Sequence, residues 1–335
     1  MNFVRRIVIA SLVFVLAQVS LADEEIEVIL DELKNPCGVA VQPGTGVVFV
    51  SESAAGRVIR VVDGEAQVVI TGSSLDVYGK GPKYKIGPLG IAFVDEHRLA
   101  VADGGYADGE EYIRVFDVPE AGGEAVSYDD GTKIGPVAAT EDIKAEGNFY
   151  GIVATDHAIY VTANGDDTKG WVAKADIDGT KFGELTRFIA TKEVTEPPTD
   201  APVGITVSPR GEIVIGQMGE INVENDSKLN FYSAKNGTVL LDRDTGLHDI
   251  TALAYSPKGH LYALDFAWVD TKQGGLFRLD DDKDNGIEAE KIVGLEKPTC
   301  LAFGKDGSLY ITVIGEVEGE SQVGNGQLIR LKTGL

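Results

Sequence analysis

The chain has 335 residues, 43% of them apolar, enough to bury one large core as a single unit. Its 53 acidic and 30 basic side chains leave a net charge of −23, a field that repels nucleic acid and anionic membrane surfaces and favours cations. Two cysteines, Cys37 and Cys300, suggest a single bridge in an oxidising compartment.

Residues 1–22 hold Arg5 and Arg6, an apolar run from Ile7 to Val19, and Ser20-Leu21-Ala22 ahead of the acidic Asp23-Glu24-Glu25. This is the order of a cleavable secretory signal, and the apolar run is too short to span a bilayer comfortably. The expectation is one domain over residues 23–335, secreted or periplasmic, with no stable membrane insertion once the signal is removed. No cysteine follows the cleavage point, so a lipid-attached form is not supported.

A phrase then recurs six times. Asn35-Pro36-Cys37-Gly38-Val39-Ala40-Val41 returns as Pro88-Leu89-Gly90-Ile91-Ala92-Phe93, Tyr150-Gly151-Ile152-Val153 and Pro202-Val203-Gly204-Ile205-Thr206-Val207. It returns twice more, as Ile250-Thr251-Ala252-Leu253-Ala254-Tyr255 and Pro298-Thr299-Cys300-Leu301-Ala302-Phe303, at intervals of roughly fifty residues. Each phrase leads through a polar, Gly-containing turn such as Ser208-Pro209-Arg210-Gly211 into a second β-rich run, then a third and a fourth. In the second unit the fourth strand is expected near Glu124 to Tyr128. The sixth unit ends after its third strand, and Glu27-Val28-Ile29-Leu30 supplies the missing one. The pattern predicts an all-β, six-bladed β-propeller of four-stranded antiparallel blades, its last blade closed by the N-terminal strand.

The order Pro-x-Gly-Ile-Ala, tight turn, Leu-Tyr-Val-x-Asp resembles the NHL-repeat and gluconolactonase-like (senescence-marker-type) six-bladed propellers over nearly all of the mature chain. The motif consists of strand and turn residues, so it implies the fold and little chemistry. Metal-dependent lactonases of that group place Glu, Asn and Asp just before the Gly-Ile-like pair. Here those places hold Cys37, Leu89, Tyr150, Val203, Thr251 and Thr299, so a lactonase site is not carried over and the inner mouth reads as apolar and hydroxylated. In the same register Cys37 and Cys300 fall one position apart on ring-neighbouring strands, where a disulfide would staple the closure; two buried free thiols are the alternative.

Loops between second and third strands, and the crossings between blades, are long and share one face, which makes that face the expected binding surface. Second strands end there at Glu52, Asp103, Ala163, Gln217, Asp265 and Val313, with Asn164 one place beyond Ala163. The three carboxylates Glu52, Asp103 and Asp265 are candidate ligands for a hard cation such as calcium; accepting hydrogen bonds from their own loops is the alternative. Gln217 and Asn164 are candidate ligand contacts. The crossing Tyr78-Gly79-Lys80-Gly81-Pro82-Lys83-Tyr84-Lys85 could hold an anionic or sugar ligand through Lys80, Lys83, Lys85 and the two tyrosine rings, or be a plain surface loop.

His97, His157 and His260 fall in or beside short turns, which leaves His248, beside Asp249, as the one candidate general base. The acidic run Asp280 to Gly286 departs from a calcium-loop pattern and reads as a hairpin turn. Neither a Gly-x-Ser-x-Gly elbow nor a His-Glu-x-x-His pair occurs.

Three functions remain. The first is a non-catalytic binding or scaffold propeller, a monomer that takes an extracytoplasmic protein or small molecule on its long-loop face. The second is a metal-dependent (calcium or zinc) hydrolase or lyase at the channel mouth. The third is a structural element of a cell-envelope assembly.

Overall fold

The structure is a computed structural model that describes residues 26–79, 82–164, 169–199, 201–282, 286–317 and 322–332. Six antiparallel sheets stand around an axis. In each, the repeated phrase is the innermost strand: Pro36–Val41, Pro88–Phe93, Phe149–Ala154, Pro202–Val207, Ile250–Tyr255 and Pro298–Phe303. Second strands such as Val48–Glu52 and Ile213–Gln217 are buried at every residue, because neighbouring blades cover both of their faces. The apolar cores lie between blades: Leu30, Leu33 and Leu328 of the last blade pack with Val39, Val50 and Ile59 of the first. No helix among the described residues is long and apolar enough to cross a membrane.

The ring closes as the repeat implies. Ile26–Lys34 pairs antiparallel with Asn325–Leu331, with Ile26 opposite Leu331 and Val28 opposite Ile329. Glu27 seals the seam through Arg330, Nη2 to Oε2 at 2.5 Å. One strand differs from expectation. The fourth strand of the second blade is Thr132–Ile134, whereas Val126–Ser127 lies parallel to Glu65–Thr71 of the first blade. A 3-10 turn at Tyr128–Asp130 separates the two segments, and the Tyr128 ring it buries anchors the chain between the blades.

The repeated glycine exists for close approach. A Cβ at Gly90 would stand 2.2 Å from the Tyr150 carbonyl oxygen, and one at Gly151 the same distance from that of Val203. Hydroxyls stitch the strands brought together in this way. Ser51 donates to the Leu89 carbonyl at 2.5 Å, Thr162 to that of Val203 at 3.0 Å, Thr251 to that of Pro298 at 3.1 Å and Thr299 to that of Pro36 at 2.7 Å.

Every innermost strand also breaks register at its start: after Pro36, Pro88, Phe149, Pro202, Ile250 and Pro298. A bulge re-aims a side chain out of the ladder. The residues that follow those six are Cys37, Leu89, Tyr150, Val203, Thr251 and Thr299, and all of them line one cavity at the mouth of the channel.

Candidate functional site

The bulged residues form the floor of a cavity of about 90 Å3 that opens on the long-loop face. The crossing between the first two blades folds back as a hairpin, Asp76–Tyr78 against Tyr84–Ile86, with Tyr78 directly opposite Tyr84. Tyr78, Tyr84 and Ile86 roof one side, and Phe266 and Trp268 of the fifth blade close the other. Tyr84 meets both rings edge-on, with centroids 6.4 Å from Phe266 and 5.7 Å from Trp268. Asn35 ties this roof down: its Nδ2 donates to the carbonyls of Lys85 at 2.8 Å and Gln322 at 2.9 Å, and its Oδ1 accepts the Gly324 N–H at 2.6 Å.

The aromatic pair owes its placement to carboxylates. Ala267 lies in the left-handed region at φ 51°, a conformation costly for a residue with a Cβ, and thereby turns both neighbouring rings inward. Asp265 holds that turn by accepting N–H groups from His248 at 3.0 Å, Asp249 at 2.7 Å and Ala267 at 3.2 Å. Asp249 accepts the Trp268 N–H at 2.7 Å. Its other oxygen is buried and unpartnered, and burial, with Asp265 and Asp226 nearby, pushes its carboxyl up to about 7.

The mouth itself is neutral. Among the described residues no Asp, Glu, His, Lys or Arg lines it. Burial pushes the Cys37 thiol and the Tyr84 phenol up to about 12 and raises the Tyr150 phenol well above its ordinary value, so all three stay protonated near pH 7. Trp268 Nε1 donates to Met218 Sδ at 3.3 Å and Tyr150 to the Thr299 carbonyl at 3.1 Å. Beyond Tyr78, Asn164, Met218 and Trp268 the cavity opens into a polar groove of about 520 Å3 that includes Lys192, Pro197, Glu220 and Asp226.

Of the residues singled out by sequence, the structure gathers Tyr78, Tyr84, Asn164 and Cys37 at this mouth. Lys83 is exposed and does not line it. The backbone of Lys85 is used instead of its side chain, its carbonyl held by Asn35 and its N–H donating to the Gln322 carbonyl at 2.9 Å. Lys80 and the segments 1–22 and 283–285 lie outside the described residues, although Asp282 pairs with Gly286 as in a hairpin turn. Gln217 is not among the residues lining the mouth; its Nε2 donates to Asn230 Oδ1 of its own blade at 2.7 Å.

The three carboxylates proposed for a cation are each engaged within the scaffold. Glu52 accepts from Arg57 at 2.6 Å and from the Lys34 N–H at 3.1 Å, and Asp103 accepts from Tyr128 at 2.5 Å and Arg114 at 3.2 Å. Among the described residues no three His, Cys, Asp or Glu side chains stand together so as to hold a metal. His248 turns Nδ1 toward the Asn225 N–H at 3.3 Å and does not line the cavity, and Asp249 acts on Trp268 from behind.

The proposed disulfide is also corrected. Both thiols are free, Cys37 donating to the Asn35 carbonyl at 3.4 Å. Cys37 occupies the bulged position that lines the mouth, whereas Cys300 occupies the following position and lines the channel below. Phe266, Trp268, Met218, Asn35 and Asn148 belong to the mouth without having been singled out. The usable signal was aromatic: Trp268 is one of only two tryptophans and sits in a long loop on the expected face.

No protein-family model and no curated protein matches the chain. Solved structures do. A gluconolactonase from Xanthomonas campestris is 16% identical, covering 93% of this chain and 90% of its own at a TM-score of 0.60. A soluble aldose sugar dehydrogenase from Escherichia coli is 12% identical over 92% and 99% of the two chains at a TM-score of 0.60. A calcium-binding regucalcin from Agrobacterium tumefaciens is 15% identical over 92% and 94% at a TM-score of 0.57. At such identities the likeness is one of fold. The chain is a six-bladed β-propeller whose structural neighbours are gluconolactonase- and regucalcin-like propellers.

Proposed function

We propose that the protein is an exported, monomeric, non-catalytic propeller that binds a small molecule at the channel mouth under the 76–86 hairpin. The observation that carries this is the mouth's construction: an aromatic, neutral cavity, about 90 Å3, on the long-loop face and continuous with a wider polar groove. Small-molecule sites are mostly apolar concavities with a few placed polar groups; this mouth shares that composition, and at about 90 Å3 it is sized for a small ligand. Its groups are poorly suited to catalysis near pH 7, since Cys37, Tyr84 and Tyr150 remain protonated and the carboxyls of Glu220 and Asp226 line the adjoining groove and not the mouth.

Calcium does not fit the mouth. It takes about six to eight oxygen ligands, carboxylates prominent among them. Among the described residues the lining offers amides, hydroxyls and carbonyls but no carboxylate. Export rests on the order of residues 1–22, and indifference to nucleic acid on the charge of −23.

A second reading is a metal-dependent, lactonase-like hydrolase. What favours it is that one neighbouring solved structure is a gluconolactonase and another a calcium-binding regucalcin. A polyhydroxylated sugar lactone would meet few hydrogen-bonding partners in this mouth, which weighs against that substrate. Thermal unfolding against a panel of neutral ring compounds, beside lactone hydrolysis with and without calcium or zinc, separates the readings. Ligand-dependent stabilisation without turnover supports binding. Metal-dependent turnover that chelation abolishes would replace it with the second reading.

A further inference from the structure

Two polar atoms at the mouth are left unused by the fold. Tyr84 is 5% exposed and Asn164 8%, both line the cavity, and the Tyr84 hydroxyl and Asn164 Oδ1 are buried without a hydrogen-bond partner. Hydroxyls on the neighbouring strands are treated differently, since Ser51, Thr162, Thr251 and Thr299 each bond to a carbonyl of the next blade. A buried polar group without a partner costs free energy that a molecule bound in this cavity, a ligand or an ordered water it displaces, returns by hydrogen bonding.

The surroundings restrict what that molecule is. The rings of Phe266, Trp268 and Tyr84 favour a flat ring, and about 90 Å3 has room for little more than one. Among the described residues no charged side chain lines the cavity, so an ionised group would be buried there uncompensated. A hydroxyl both donates and accepts, so it satisfies Asn164 with either end of the amide turned inward, and Tyr84 as donor or acceptor. The adjoining groove, with Lys192 and Glu220, is polar and gives space for a hydrophilic substituent.

We propose that the mouth takes an uncharged, hydroxylated ring of the phenol type, its hydroxyl bonded to Asn164 or Tyr84 and any polar tail lying in the groove. This rests on the reading of the mouth as a ligand site. The test is ligand-observed fluorine NMR on the intact protein with 4-fluorophenol, fluorobenzene and 4-fluorobenzoate. The phenol is expected to bind about tenfold more tightly than fluorobenzene, and the benzoate at least a hundredfold more weakly than the phenol. The double variant Tyr84→Phe/Asn164→Leu should bring the ratio of phenol to fluorobenzene affinity close to one, whichever of the two holds the hydroxyl. Val203→Phe, which fills the cavity floor, should abolish binding of both neutral rings in a variant shown to be folded by its circular dichroism.

Equal affinities for phenol and fluorobenzene, or tighter binding of benzoate, would overturn the hydroxylated-ring assignment while leaving the mouth as a ligand site. Absence of binding by all three probes, or binding indifferent to Val203→Phe, would overturn the site itself and the assignment with it.

Discussion

Blade two and the channel mouth both bury polar side chains, and they treat them in opposite ways. In blade two Asp103 is met by Arg114, by the Tyr128 hydroxyl at 2.5 Å and by the Tyr112 N–H at 3.1 Å, while the Arg114 guanidinium lies 4.8 Å from the Tyr128 ring centroid and 5.2 Å from that of Tyr106. At the mouth Tyr84 and Asn164 are also buried, yet each has a polar atom with no partner. Unpartnered buried atoms also occur elsewhere in the scaffold, at Trp171, Gln217 and Tyr232 among others; what sets Tyr84 and Asn164 apart is that theirs lie in residues lining an open cavity.

The comparison is broken most forcefully at its charged end. Arg114→Met leaves Asp103 buried without its cation and should cost about 3–5 kcal/mol, read as a lowered urea midpoint at unchanged m-value. Affinity for neutral rings at the mouth should survive in the folded fraction. A loss under about 1 kcal/mol would mean that the cluster is not the fully desolvated pair its 2% and 0% exposures describe.

Asp249 lies between the two cases, with one oxygen bonded to Trp268 and the other orphaned. Its folded carboxyl titrates at about 7, above the ordinary value, so its stabilising contribution is complete below about pH 4 and is lost as pH rises through 7. Asp249→Asn removes that dependence. The variant should gain about 2–3 kcal/mol on wild type between pH 5 and pH 8, measured as the difference of two denaturation series. Parallel series would rule out a raised carboxyl.

Tyr84→Phe sharpens the contrast from the other side. Removing an unpartnered hydroxyl should leave stability unchanged or raise it by up to about 1 kcal/mol in ligand-free protein, whereas removing a bonded one lowers it. A fall of more than about 1 kcal/mol would show that the hydroxyl has a structural partner. Reduction should have the smallest effect: with both thiols free, dithiothreitol should leave the unfolding midpoint unchanged and the denatured chain should titrate two thiols.

Much of the fold was legible because a propeller repeats its local chemistry. The phrase around Gly38, Gly90, Gly151 and Gly204 carries both strand propensity and the absent side chain that close packing about the axis demands. The N-terminal strand could be assigned to the last blade because Glu27 to Leu30 has the pattern of the fourth strands. The second blade's outer strand could not, since Val126–Ser127 and Thr132–Ile134 are both short and only their neighbours decide which sheet each joins.

The candidate site divides in the same manner. The chain by itself determined that the innermost positions carry no acid or amide, that long loops share a face, and that Tyr78 and Tyr84 lie in a crossing on that face. Only the tertiary structure decided that a bulge turns Cys37 toward the mouth and leaves Cys300 below, that Gln217 bonds within its own blade, and that Phe266 and Trp268 reach across to Tyr84. The physical reason is that strand and turn propensities act over a few residues. The direction of a bulged side chain and the partner of a buried hydroxyl depend instead on backbone that the sequence places hundreds of residues away.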